Sequence, residues 1–326
     1  SSFPDKTDIK FWEDFIVSTE PGAISSGGCE AETVESLRFT IPHHYKKQNR
    51  IVTKDDFKAT VISEFRNIDS INVWGGEDHI YKDYGKIYIS IKPKYTDALT
   101  LTAKKDIQTR LLSRYCVIGM QIVFIDPEFV NTELTIYGKV DIKKTTKTFG
   151  EIEKDIRSVI ASYNTDNLNV FDDFLSDAIL MNLIMNKVPA LKSCYSKKVL
   201  NKDQEIIYNS GIENQLFIGN TISSGIKSST FIYGPDTCYF ADDTDSNVYI
   251  YKNSDSTKLL TKSFGKVNYN KGIIYYEFPK YGVLTQNNFN TQGIINFTVT
   301  PVNPDIETFL QNIVRITKVR VILSNA

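Results

Sequence analysis

The sequence is poor in histidine, cysteine and methionine, with 3, 4 and 3 of them among 326 residues, and each shortage removes a class of chemistry. Three histidines, His43, His44 and His79, leave few candidates for a mechanism that moves protons near neutral pH. The cysteines Cys29, Cys116, Cys194 and Cys238 are far apart and form no C-x-x-C pair. Neither a zinc site nor a small disulfide scaffold is signalled, and reduced thiols are expected. No apolar run approaches the roughly 20 residues that a membrane helix needs. Nor does one charge dominate: 38 Lys and Arg offset 39 Asp and Glu, with the signs interspersed. That removes the long-range field a nucleic-acid binder uses, so neither nucleic acid nor membrane is expected as a partner. The basic run from Lys143 to Lys147 reads as a solvated turn.

Sequence motifs for catalysis are also missing. There is no G-x-S-x-G elbow, no Walker A phosphate loop and no G-x-G-x-x-G after a strand. Trp74-Gly75-Gly76-Glu77-Asp78 is a glycine turn without a lysine to meet a phosphate. Asp243, Asp245 and Asn247 imitate the start of a calcium loop. Its sixth position is Val248 where glycine is wanted, and its twelfth is Ser254 where a bidentate glutamate is wanted, so a polar turn is expected. His43 and His44 could join Asp78 and His79 around a metal only if the fold brought them together, and no spacing fixes that. The expectation is a protein that is not an enzyme, with no catalytic, metal-binding or cofactor-binding residues and no cofactor.

What is present is enough apolar material for more than one core. At 41% hydrophobic and 24% charged the composition is that of an ordinary globular chain, and its length suggests two or three domains. Ser1-Ser2-Phe3-Pro4-Asp5 runs directly into the apolar cluster Phe11, Trp12, Phe15, Ile16 and Val17, so 1–30 reads as the end of a preceding domain, closed by the Gly/Ser-rich linker 18–31.

Residues 31–127 read as a small α+β unit. Thr53 and Asp56 form a capping box, with Val52 placed to staple onto Phe57, and Phe57, Val61, Ile62 and Phe65 are spaced for one helical face. Strands follow at Ile71 and Val73 and at Ile87, Ile89 and Ile91, the latter alternating with Tyr88, Ser90 and Lys92 as a half-buried strand. A second helix is predicted over 102–115, burying Ile107, Leu111, Leu112 and Tyr115, before a strand at Ile122–Ile125.

A second α+β unit spans 128–210, with the alternating strand Leu134, Ile136, Gly138, Val140 and Ile142. A helix capped by Thr148 and Glu151 carries the stripe Ile152, Ile156, Val159, Ile160 and Tyr163. A further helix over 171–188 is apolar nearly all round in its later turns, and is either core or an interface; Leu180, Ile184 and Met185 are its candidate interface residues.

Residues 211–326 read as a mostly β domain, with a hairpin at 265–276 turning on Asn270-Lys271-Gly272 and a weaker helix candidate at 306–316. The tyrosines of this region, Tyr233, Tyr239, Tyr249, Tyr251, Tyr269, Tyr275, Tyr276 and Tyr281, admit an alternative reading as platforms of a carbohydrate- or receptor-binding module. They are equally good strand formers.

One stretch of text is more specific. Gly27-Gly28, Glu32, Arg38 and Pro42, then Asn49-Arg50-Ile51-Val52-Thr53 with Asp56-Phe57, and Gly85-Lys86-Ile87 further on, resemble the baseplate J-like family. The hairpin text at 265–274 is similar to that of the large baseplate wedge proteins of T-even contractile-tailed bacteriophages, in their C-terminal part. The resemblance implies a structural virion protein, assembled in the host cytoplasm and resident in the tail baseplate. It also implies partners: copies of the chain itself, as a homodimer or in ring contacts, and other baseplate wedge proteins. The motif residues have ordinary physical work in turns, caps and packing, which signals shape rather than chemistry.

Overall fold

A computed structural model describes residues 51, 53–65, 67–79, 82–114, 121–205, 213–233, 235–278 and 294–325, with isolated positions 34, 38, 41 and 42 before them. The architecture is α+β with two sheets and a separate hydrophobic core on each. The linker at 18–31 and Val52 lie outside the described residues.

The first core begins with helix α1 (Lys54–Glu64), which opens on the anticipated capping box. The Asp56 N–H donates to Thr53 Oγ1 at 3.2 Å and the Thr53 N–H donates to Asp56 Oδ2 at 3.0 Å, satisfying two groups that a helix start leaves open. Phe57 and Val61, four residues apart, are buried, but Ile62 is 42% exposed because one further residue turns it about 100° away from them.

The helix packs on a mixed sheet of β1 (Ile68–Gly75), β2 (Lys86–Pro93) and β3 (Gln121–Ile125), antiparallel between the first two and parallel between the last two. The parallel crossover is helix α2 (Leu101–Arg114). Ile71, Val73, Ile89, Ile91 and Ile122 face the helices and join Phe57, Val61, Ile107 and Leu111. The side chains of Leu112 and Tyr115 lie outside the described residues. The expected half-burial of β2 does not hold: Tyr88, Ser90 and Lys92, on its other face, are buried as well.

The second core is larger. Its strands are β4 (Glu128–Val140), β5 (Leu191–Glu205), β6 (Glu213–Phe217), β7 (Lys227–Ser228), β8 (Phe231–Tyr233), β9 (Asp236–Asp242), β10 (Asn247–Lys252), β11 (Gly265–Asn268), β12 (Ile273–Glu277), β13 (Ile294–Val299) and β14 (Asn312–Asn325). They form one sheet in the order β14-β4-β5-β13-β7-β9-β10-β11-β12-β6, with β8 paired to β9. The sheet therefore crosses residue 210, the expected division between the second unit and the β domain. Helices α3 (Phe149–Asp166) and α4 (Asp177–Lys187) close the core at the β14, β4 and β5 end. Helix α3 carries the expected capping box and buries all five residues of its expected stripe.

Two helix expectations are corrected. The helix read over 171–188 starts only at Asp177, because Asn169 and Asp172 adopt φ of 68° and 63° and Leu175 exchanges two backbone hydrogen bonds with Ile306. The helix candidate at 306–316 is instead that bridge at Ile306, a left-handed Leu310 with φ 53°, and the start of β14. Ile313, Val314 and Ile316 are β-branched and run parallel to β4 in the sheet. The hairpin at 265–276 forms as expected, with Gly272 at φ 61°. A Cβ there would also meet the Asn220 carbonyl oxygen at 2.1 Å, so the turn needs glycine twice over.

Lys202 on β5 is the most consequential polar residue of this core. Its side chain is 2% exposed, and its ammonium pairs with Glu128 of β4 at 2.6 Å, donates to Asn312 Oδ1 of β14 at 2.8 Å and donates to the Phe217 carbonyl of β6. Neighbouring strands β4 and β5 are thereby tied to β6, the strand at the far end of the sheet order. Burial pulls the Lys202 pKa below the ordinary lysine value of 10.5, with Glu128 opposing. Nearby, Phe231, Phe240, Tyr276, Phe278 and Phe297 pack ring on ring, and the Tyr276 hydroxyl is buried there without a partner among the described residues.

Replacing Lys202 by Met is expected to cost about 3 kcal/mol, since the Asn312 and Phe217 oxygens lose a buried donor and Glu128 loses its cation. Chemical denaturation measures this. In the wild type the unfolded chain binds the extra proton more readily, so stability should rise with pH in the interval just below 10.5 and fall back as pH drops through the lowered folded pKa; the Met variant should lack that slope. Tyr276→Phe removes a hydroxyl buried with no partner, and is expected to leave stability unchanged or raise it by about 1 kcal/mol.

Candidate functional site

The two cores meet on the second face of β1 and β2. Ser70, Asn72 and Trp74 alternate with the core residues of β1, and the register sets them opposite Lys92, Ser90 and Tyr88. This face is mostly polar, and Asn72, Trp74, Tyr88, Ser90 and Lys92 are all buried in it. Asn72 Nδ2 donates to the Leu310 carbonyl at 2.8 Å, and the Phe171 N–H donates to Ser70 Oγ at 2.9 Å. Lys92 pairs with Asp69 beside them.

Two ion pairs flank the contact, Lys58 with Asp172 at 2.7 Å and Arg315 with Asp97 at 3.2 Å, both with well-exposed carboxylates. Such pairs are screened and add little stability, so they orient rather than glue. Both Leu310 and Asp172 sit in the left-handed region, at a cost of roughly 1 kcal/mol for a residue with a side chain. That conformation accompanies the aim of the Leu310 carbonyl and the Asp172 carboxylate at the smaller unit. The junction thus joins two cores through directional hydrogen bonds instead of a shared apolar seam, and fixes their relative orientation.

The residues singled out in the sequence are distributed differently. Leu180 and Ile184 have 0% exposure and lie inside the second core, and Met185 packs against it half-buried. Leu180 and Ile184 therefore offer no surface to a partner; Ile179 of the same helix is 50% exposed. Among the described tyrosines, Tyr239 and Tyr276 are buried and Tyr233, Tyr249, Tyr251, Tyr269 and Tyr275 are half-buried. The Tyr269 hydroxyl donates to Asp242 at 2.6 Å, and its pKa is raised by burial and by that carboxylate. A groove of about 720 Å³ runs past Tyr269, Tyr275 and Asn268 at the β11–β12 hairpin. Tyr281 lies outside the described residues.

His43 and His44 lie outside the described residues, while the His79 ring stacks on Tyr88 at 4.4 Å and Asp78 pairs with Lys54 at 2.6 Å. No group of three His, Cys, Asp or Glu among the described residues is arranged to hold a metal ion. In the calcium-like turn, Asp243 Oδ1 accepts the N–H groups of Asp245 and Asn247, each at 3.0 Å, which closes a β-turn and lowers the Asp243 pKa against its burial.

Lys198 Nζ lies 2.8 Å from Ser196 Oγ, a spacing that suits a nucleophile and its base, but both groups also bond to Asp177. The three groups form one hydrogen-bonded network between β5 and the start of α4. Sequence reasoning missed this network and Lys202, because β5, LKSCYSKKVLNKDQE, reads as too polar for a central strand. The available signal was phase: Cys194, Ser196, Lys198, Leu200 and Lys202 alternate on its inward face.

Residues 53–128 match the family model described as baseplate structural protein gp6, C-terminal domain I. The match supports a structural role in a phage baseplate. It begins at the Thr53 cap of α1 and ends on the first residue of β4, so it spans α1, α2 and the three-stranded sheet and stops where the large sheet starts. No curated protein matches the chain. A structural protein works by holding a geometry, and the polar face between the cores is where geometry is set. Asn72→Ala is therefore expected to lower stability by about 1–2 kcal/mol, and to increase protease cleavage between 94 and 127 ahead of cleavage in the large sheet.

Proposed function

We propose that the chain is a subunit of a baseplate wedge in a contractile phage tail, which associates with copies of itself and with other wedge proteins to link wedges into a ring. The observation carrying this reading is the gp6-type match over 53–128, the unit whose second face is docked on the large sheet. The baseplate J-like text between Gly27 and Phe57 adds to it. The role is non-enzymatic, virion-borne, and met by particles assembling in the host cytoplasm.

A wedge subunit has to transmit position between neighbours. Two cores of fixed internal shape, joined by a junction of hydrogen bonds and screened ion pairs, meet that need. Such a junction holds one orientation at rest and yields more readily than an apolar seam when the particle rearranges.

The test is size-exclusion chromatography with light scattering, on the chain alone and mixed with the other wedge proteins of the same phage. The expected result is a species larger than a monomer at high micromolar concentration, and a further shift on mixing. A strict monomer that forms no complex with any of them would overturn the proposal.

A further inference from the structure

Strand β14 lies at an end of the large sheet, and no described strand pairs with its outer edge. Part of that edge is sealed. The Asn169 N–H donates to the Val314 carbonyl at 3.0 Å, the Ile316 N–H donates to Asn164 Oδ1 at 2.8 Å, and Arg157 donates to the Val319 carbonyl at 2.7 Å. A bulge between Ile316 and Lys318 adds to the protection. Beyond Val319 no described residue seals the edge. Strand alternation sends the amide groups of Val321 and Leu323 outward in the same way, and no described residue meets them.

The sheet face beside this open edge has a distinct chemistry. The register aligns Ile322 of β14 with Tyr137 of β4 and Tyr195 of β5. The two tyrosine rings stack at 4.8 Å and 8°, Tyr195 is 56% exposed and Ile322 is 43% exposed. On the same face Arg320, Lys197 and Lys139 are exposed, and none has a carboxylate partner among the described residues. Lys197 sits 5.6 Å from the Tyr137 ring. Of the acids on this face, Glu133 is already paired with Lys318, and Asp203, further along β5, accepts from Asn296 Nδ2 at 2.7 Å. The strand itself, NIVRITKVRVILSN, carries three cations and no anion.

We infer that the Val321–Asn325 edge of β14 takes on an additional strand from another protein, and that this strand is acidic and alternates its charges with aliphatic or aromatic residues. The main-chain groups of Val321 and Leu323 supply the pairing, the Ile322-Tyr137-Tyr195 row supplies apolar contact, and Arg320, Lys197 and Lys139 select the charge. A second copy of β14 would bring cations to cations and fits less well. The inference rests on the assembly reading above only in taking the occupant from the same particle. Peptide binding and wedge co-assembly are separate measurements, so either can fail alone.

The experiment uses the full chain with two fluorescent eight-residue peptides, one alternating glutamate with valine and the other lysine with valine, read by anisotropy. The acidic peptide is expected to bind at least tenfold more tightly and to weaken as salt is raised. Val321→Pro removes an outward N–H without touching the β4 ladder, and the pair Arg320→Glu with Lys197→Glu reverses the charge; each should weaken binding at least tenfold. Amide exchange of Val321 and Leu323 in the wild type, slowed by the acidic peptide, gives the same readout should Val321→Pro fail to fold. Equal affinity for both peptides, no binding, or unchanged exchange at Val321 and Leu323 would overturn the proposal. So would a wild-type dimer that Val321→Pro converts to a monomer, since a second copy would then own the edge.

Discussion

A single buried ammonium governs how the large sheet is arranged. Lys202 sits on β5 with 2% of its side chain exposed, and holds Glu128, Asn312 and Phe217, which belong to β4, β14 and β6. An unpaired cation at that depth would cost several kcal/mol, so the three strands have to arrive together with their acceptors in place. The constraint reaches further than one contact. It fixes where β14 starts, since Asn312 is its first residue, and β14 in turn frames α3 and the loops that meet the smaller unit. Lys92 with Asp69 and Lys198 with Asp177 repeat the device elsewhere, each a buried strand lysine with a carboxylate brought to it.

Around this arrangement the protein divides its work between two kinds of contact. Within each core, apolar burial between helices and sheet supplies stability without direction. Between the cores the contacts are directional: Asn72 to the Leu310 carbonyl, the Phe171 N–H to Ser70, and two exposed ion pairs. The backbone accepts left-handed residues at Leu310 and Asp172, both of them partners in that junction. Local strain at a contact that sets relative orientation is consistent with a role in which shape is the product.

Legibility in the sequence followed the range of the interaction. The capping boxes at Thr53 and Thr148, the α3 stripe and the β11–β12 turn depend on residues a few positions apart, and each was readable. The segment 306–316 was not. Phe309, Leu310 and Ile313 have helical spacing, yet Ile306 is held by Leu175 and Asn312 by Lys202, partners more than 100 residues away. β2 looked half-buried because its alternation is regular, yet Ser90 and Lys92 on its polar face are buried as well. For the candidate site, Leu180 and Ile184 read as interface candidates on a helix that could face core or partner, and their 0% exposure within the large core depends on tertiary packing that one sequence does not display. β5 escaped notice because its inward lysines hide a strand pattern that their distant acids make possible.

Native-state hydrogen exchange followed by mass spectrometry tests the central claim most directly, that one continuous β body closed by Lys202 carries a smaller unit through a polar junction. The account predicts two cooperative groups of amides: those of 54–125 opening together at one free energy, and those of β4, β5 and the strands after 213 opening together at a higher one. A single group spanning both cores, or β4 and β5 exchanging apart from the later strands, would contradict it.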